Sequence, residues 1–290
     1  LSLHDALPIY VSAFGAPVLE DIPADAAFVG EGERNLEAYL EAFLGDGDLE
    51  AIPGLIWRTL EGDIVTNPGS APIIEDLDSL PMPAYDLIDL PRYWHVQSIA
   101  PIPRRRYVSL VTSRGCPYGC MWCHNIFGRG FRAHSPERIV EEIKLYTGRY
   151  HINDIEFLDD CFNLRRDRLL NFADLVQKNN LKIKIAFPNG VRADLLDETT
   201  MDALEQSGMY FCSFALESAS ERIQKLTHKN MNLEKFLHAV ELAADKKIFT
   251  NGFMMLGFPE ETEEEMQATI RMANESRLHT GSFYTVTPFP

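Results

Sequence analysis

The chemistry of this chain starts at Cys116-Pro117-Tyr118-Gly119-Cys120-Met121-Trp122-Cys123, where three thiols fall within eight residues. Thiolates are soft ligands that select iron-sulfur clusters or zinc. Gly115 and Gly119 leave the backbone free to wrap closely around a bound group. A structural zinc site closes with a fourth Cys or His at short spacing, and a ferredoxin supplies a fourth Cys. Neither is evident here: His124 adjoins Cys123, and Cys161 and Cys212 sit on later segments. Three ligands on a four-iron cluster leave one iron open to a substrate or cofactor. The chain has five cysteines, all after residue 103, which is too few for a disulfide scaffold at 290 residues.

The elements that must position these thiols follow the basic run Arg104, Arg105, Arg106. Strand-like segments Tyr107 to Thr112, Asp154 to Leu158, Lys182 to Phe187, Met209 to Leu216, Thr250 to Leu256 and Ser282 to Val286 alternate with helix-like ones. The helices are expected at Pro136 to Tyr146, Arg166 to Lys178, Glu198 to Gln206, Leu233 to Ala244 and Glu261 to Glu275. Ser135 before Pro136 reads as a cap followed by a first helical residue. Alternation at this spacing implies an α/β chain with a parallel sheet, open or closed into a barrel, and the cysteine loop directly follows its first strand. No helix follows the sixth strand, which runs into Pro288-Phe289-Pro290, and the chain opens on Leu1 rather than Met; we expect a chain cut at both ends.

Upstream the character changes. Residues 1–103 carry a net charge of -15, whereas residues 104–290 carry -1, so two different units are expected to meet near Pro103. Tyr10 to Gly32 reads as an apolar segment, a turn at Gly15-Ala16-Pro17 and a second strand ending in Gly30-Glu31-Gly32-Glu33, with an amphipathic helix from Asn35 to Leu44. A strand, a glycine loop and a helix make a half-unit of an open α/β sheet. Residues 46–103 are rich in Pro, Gly and Asp and read as a linker containing a hairpin made of PGLIWR and GDIVTN. The overall charge of -16 argues against broad electrostatic binding to nucleic acid or anionic membranes. No apolar run approaches the roughly 18 residues of a spanning helix, and a cytoplasmic location is expected.

Read as a whole, Cys-x3-Cys-x2-Cys with Trp122 before the last thiol resembles the signature of the radical S-adenosylmethionine superfamily, over residues 106–290. IEFLDDCFN resembles the end of the second strand in the branch that carries a cobalamin-binding domain. ALESAS resembles the fourth strand and GFMMLGFPEET the fifth strand and its turn; FVGEGE and DLDSLPMPAYDL resemble the end of the cobalamin domain and its linker. The resemblance divides the chain into residues 1–45, the C-terminal remnant of a Rossmann-like cobalamin-binding domain, residues 46–103, a linker, and residues 104–290, a partial (β/α)6 core barrel of TIM type, incomplete after its sixth strand. It implies a 4Fe-4S cluster on Cys116, Cys120 and Cys123, and an S-adenosylmethionine cleaved to a 5′-deoxyadenosyl radical. Trp122 would lie against the adenine, Asp159 or Asp160 would meet the amino group, and Arg192 the carboxylate. Glu217 and Ser218 would bind the ribose or methionyl end, and Gly257 and Pro259 would shape the adenine turn.

The resemblance also implies cobalamin in the full-length form, a flavodoxin or ferredoxin as electron donor, and a small molecule or peptide as substrate. Methyl transfer is the first reading, and a radical ring closure of the magnesium-protoporphyrin ester cyclase type the second. A methylthiotransferase would place a second cysteine trio upstream, where residues 1–103 hold no cysteine. An iron-sulfur electron carrier would leave Glu217 and Gly257 without a purpose. Two positions depart from the family pattern: Glu260 stands where G-x-P-G-E-T has its second glycine, and Ala16 stands where the cobalamin domain has the second of two glycines. The cobalamin-ligating D-x-H-x-x-G loop would lie upstream of residue 1.

Each residue also has an ordinary alternative. For Asp159 and Asp160 it is a helix cap or a solvated turn, for Glu217 the partner of a cation such as Arg222, and for Arg192 an exposed arginine. Cys161 and Cys212 read as small buried hydrophobes.

Overall fold

A computed structural model of the chain describes residues 11–45, 47–96, 98–100, 106–123 and 126–287. Residues 1–10, Arg104 and Arg105 of the basic run, the boundary at Pro103, His124 and the terminal Pro288-Phe289-Pro290 lie outside the described residues. The chain divides into two compact units, residues 1–77 with 124–130 and residues 78–123 with 131–290.

In the first unit, residues 11–14 are helical, so the apolar segment before Gly15 is coiled rather than extended. Helix α1 (Pro17–Asp21) packs Val18 and Leu19 with Val11, Ala27 and Ile56 in a small apolar core. Strand β1 (Ala26–Phe28) precedes helix α2 (Gly32–Leu44), and β2 (Leu55–Arg58) and β3 (Ile64–Thr66) complete a sheet of order β1-β2-β3. Both pairings are antiparallel. The buried Asn67 amide donates to the carbonyls of Leu49 and Ile52 at 2.6 and 2.9 Å, which satisfies a loop that has no ladder of its own.

In the second unit, six strands form a wholly parallel sheet in chain order. They are β4 (Tyr107–Leu110), β7 (Asp154–Phe157), β8 (Lys184–Val191), β9 (Met209–Glu217), β10 (Phe249–Leu256) and β11 (Thr280–Thr285). Sequential parallel neighbours joined by helices are the TIM-type arrangement, with β4 and β11 as the two edges. A two-stranded pair, β5 (Ser113–Arg114) with β6 (Arg132–Ala133), stands apart from this sheet.

The helices are α4 (Pro136–Leu145), α5 (Arg166–Lys178), α6 (Glu198–Gln206), α7 (Glu221–Leu226), α8 (Leu233–Asp245) and α9 (Glu263–Glu275), after a short α3 (Leu90–Tyr93). Their starts are written in the sequence. The Ser135 hydroxyl accepts from the Arg138 amide at 3.1 Å, Asp197 with Thr200 and Thr262 with Glu265 form capping boxes, and Ser220 and Asn232 cap α7 and α8. In α5, Leu169, Phe172, Ala173 and Val176 recur at helical spacing and are buried. They meet the sheet through a set of rings, Phe157, Phe162, Phe172 and Phe187, with centroids 4.8 to 5.7 Å apart. Gly208 enters β9 at φ +104°, and a Cβ there would meet the Ile183 carbonyl oxygen at 2.2 Å, so the close approach of β8 and β9 admits no side chain. Among the described residues, no helix is long and apolar enough to cross a membrane.

Candidate functional site

The cysteine loop follows β4 of the sheet and the short separate strand β5, at the C-terminal ends of the parallel strands, where barrels of this type place their chemistry. Gly115 opens it at φ +80°. Cys120 is buried, Cys116 is half-buried and Cys123 is exposed. The Cys116 sulfur accepts a hydrogen bond from the Tyr118 amide, Cys123 N donates to Cys120 O at 3.2 Å, and Met121 N donates to Thr227 O at 3.1 Å. This last bond ties the loop to the end of α7.

Burial pushes the Cys116 thiol up, and it pushes Cys123 up to about 11, with Asp160 and the neighbouring thiols adding to the rise. The three thiols and Asp160 thus lie within electrostatic reach of one another, and an added cation is what would favour their thiolates. Among the described residues, no three His, Cys, Asp or Glu side chains converge to hold a single metal ion. The three thiols are soft donors of the kind that iron-sulfur clusters take.

Trp122 is half-buried, its ring 5.3 Å from that of Phe258 at 51°. Phe258 belongs to the turn after β10. Gly257 takes φ +84° with open space around it, and Glu260 takes φ +65°, so the position where the family pattern has glycine keeps a glycine-like backbone. The Glu261 carboxylate holds this turn: Oε2 accepts from the Gly257 and Phe258 amides at 2.7 and 3.1 Å. Its Oε1 is buried with no hydrogen-bond partner. Pro259 and Glu260 are exposed beside it.

Glu217 ends β9 at φ +66° and is 8% exposed. Its partner is Lys229, with Nζ 3.4 Å from Oε1, and not Arg222, which pairs with Glu265 at 2.6 Å and donates to the Glu260 carbonyl. Burial pushes the Glu217 carboxyl up, and Lys229 pulls it back. The same ammonium stands 5.9 Å over the Trp122 ring. Glu217 also lines a cavity of about 230 Å³ with Phe253, Met255 and Tyr284, at the ends of β9, β10 and β11.

Arg192 packs its guanidinium 3.7 Å over the Tyr118 ring, pairs with Asp194 at 2.8 Å, and donates to the carbonyls of Lys229 and Asn230. The structure therefore brings together the cysteine loop, Trp122, Asp160, Arg192, Glu217 and the turn at Gly257 and Pro259.

Two expected residues turn elsewhere. Asp159 is 2% exposed and accepts from the hydroxyls of Thr112, at 2.8 Å, and Ser113. Ser218 is 1% exposed, and its hydroxyl accepts from the Ser220 amide at 3.2 Å, at the start of α7. Cys161 and Cys212 are buried. Lys229, Tyr118 and Glu261 are functional candidates that the sequence reading did not single out. For Lys229 a signal exists, because a carboxylate buried at a strand tip needs a cation and the next loop holds one.

A larger cavity of about 520 Å³ lies between the starts of α4 and α5, lined in part by Arg165, Arg166 and Arg168. Arg166 is already paired with Asp197 and Arg168 is bound to carbonyls, so this hollow lacks the open chemistry of the cysteine side.

The Radical SAM superfamily model matches residues 110–273. The chain is 32% identical, over 92% of its own length and 56% of the relative's, to an uncharacterized methyltransferase of Pyrococcus horikoshii. It is 27% identical, over 95% of its length and 57% of the relative's, to the cytidylyl-2-hydroxyethylphosphonate methyltransferase of Streptomyces wedmorensis. The chain thus spans about half the length of the curated relatives it matches. Its backbone resembles that of TsrM from Kitasatospora setae, a radical S-adenosylmethionine methyltransferase solved with cobalamin and a [4Fe-4S] cluster. The TM-score is 0.73 at 21% identity, covering 96% of this chain and 54% of that one, which is a likeness of fold.

Proposed function

The chain belongs to the Radical SAM superfamily, and from that premise we propose that the full-length protein is a cobalamin-dependent radical methyltransferase holding a 4Fe-4S cluster and S-adenosylmethionine. The observation that carries this is the cysteine loop, whose three thiols sit among Asp160, Lys229 and the Trp122–Phe258 pair at the C-terminal ends of a parallel sheet. Cys116, Cys120 and Cys123 hold the cluster. When bound, the cluster and S-adenosylmethionine supply a 5′-deoxyadenosyl radical that takes hydrogen from the substrate, and cobalamin supplies the methyl group.

This chain's own residues bind and orient. Asp160 and Lys229 flank the thiols with opposite charges, which suits a zwitterion bearing an amino and a carboxylate group. Arg192 adds a second cation from behind Tyr118. Trp122, Phe258, Gly257 and Pro259 form an apolar wall for the adenine. Glu217, held by Lys229, offers its carboxylate to the ribose or methionyl end. Asp159 supports the cysteine loop through the Thr112 and Ser113 hydroxyls, and Ser218 supports the start of α7. Exclusion of water by the aromatic pair protects the radical. The reductant is a flavodoxin or ferredoxin in the cytoplasm, and the substrate a small molecule or peptide. The two methyltransferase relatives favour methyl transfer over ring closure.

The test is anaerobic cluster reconstitution of the full-length protein, then dithionite, S-adenosylmethionine and mass spectrometry. The expected products are 5′-deoxyadenosine and a methylated substrate; an intact cluster that yields no 5′-deoxyadenosine sinks the reading. Cys120→Ala should lose the cluster's visible absorbance, and keeping it would refute the ligand assignment. Cobalamin retained through purification, read from its visible spectrum, separates this branch from other radical enzymes.

A further inference from the structure

The segment that carries the cysteines is bounded by a short stem. Ser113 faces Ala133 and Arg114 faces Arg132 across the β5–β6 pair, and the His134 amide donates to the Thr112 carbonyl at 2.9 Å. One side chain reaches both strands of this stem. Arg168, in the first turn of α5 and 7% exposed, donates through Nε to the His134 carbonyl at 3.0 Å. Its Nη2 donates to the carbonyl and hydroxyl of Thr112 at 2.9 and 2.7 Å, and its Nη1 donates to the Phe162 carbonyl at 3.3 Å. Thr112 lies just before the loop and His134 just after it. Asp159 grips the same strand, with Oδ1 accepting from the hydroxyls of Thr112 and Ser113. Thr112 is therefore bonded by Arg168 through two atoms and bridges it to Asp159.

We propose that Arg168 and Asp159 form a buried clamp on the stem of the cysteine loop, and that this clamp sets the placement of Cys116, Cys120 and Cys123. They are positioning residues, and the proposal rests on the cluster reading above. A guanidinium suits the task because its planar fork fixes several donors at once, whereas a lysine ammonium is a point charge that cannot span three carbonyls on three segments. Closing the stem removes loop entropy before any ligand arrives, so the thiols meet a cluster already held near their bonding arrangement. Ligands whose support is loose hold a metal group less well.

Arg168→Lys tests this in the full-length protein beside wild type. In the metal-free protein, amide hydrogen exchange over residues 112–114 and 132–134 should quicken by about tenfold or more while β9 and α8 stay as in wild type. Unchanged exchange at the stem overturns the clamp. After anaerobic reconstitution, the variant should retain less iron per chain on desalting and give a shifted electron paramagnetic resonance spectrum of the reduced cluster. A loosened stem with wild-type iron retention and spectrum overturns the positioning role. Thr112→Val deletes only the bridging hydroxyl and should give the same changes in weaker form, which keeps the test available if Arg168→Lys does not fold. A wild type that takes up no cluster refutes the cluster reading, while the exchange result still decides the clamp.

Discussion

Lys229 is the residue on which three features of the site meet. Its ammonium neutralises Glu217 and lies over Trp122, and its backbone carbonyl accepts from Arg192. Both members of the Glu217 pair are close to nine-tenths buried, at 10% and 12% side-chain exposure, so removing one leaves a charge with neither water nor partner. Lys229→Met should therefore destabilise the protein by about 3–5 kcal/mol in urea unfolding, and Lys229→Met with Glu217→Leu should recover part of that loss. A single variant as stable as wild type would show that the pair is solvated. The carboxylate at Glu217 follows from sequence, since a charge at the tip of an apolar strand needs a reason. The identity of its cation does not, because Arg222 stands nearer along the chain than Lys229 and only the fold brings Lys229 to it.

Elements of the second unit are those whose signals are local. Helix α5 runs over Arg166–Lys178 and α6 over Glu198–Gln206, the ranges expected from apolar periodicity and caps. Helix α9 starts at Glu263, after the Thr262–Glu265 capping box, rather than at Glu261. The difference is physical: Glu261 spends its carboxylate on the Gly257 and Phe258 amides and so belongs to the turn. Thr262→Ala should cost about 1 kcal/mol in chemical unfolding, and Thr262→Ser only a few tenths. An equal loss in both would assign the effect to packing instead of the cap. Elements without a periodic signal are α7, six residues long and marked only by its Ser220 cap, and the β5–β6 stem, whose strands are two residues each. Neither is long enough to show a period.

At the scale of the molecule, a buried carboxylate joins β7 to β4 and to the segment that precedes it. Glu156 on β7 is 1% exposed and accepts from the Ala100 amide at 3.1 Å and the Ser109 hydroxyl at 3.4 Å. Burial raises its carboxyl above the ordinary value of 4.5, and the hydrogen bonds only partly offset this. A group raised on folding favours the native state below its unfolded value and loses that contribution as pH climbs through the folded one. Glu156→Gln should therefore gain Tm relative to wild type as pH rises above 4.5, checked by thermal melts across that range. A difference independent of pH would refute the assignment. The cysteine spacing, the alternation of strands and helices, and the parallel sheet were legible in the sequence, because each is carried by residues within a few positions of one another. Only tertiary structure decided that β1 pairs antiparallel with β2, that Lys229 answers Glu217, and that Arg168 clamps Thr112 to His134. Those contacts join positions up to 56 residues apart, and a chain's local periodicity holds no record of which distant partner satisfies a buried donor or charge.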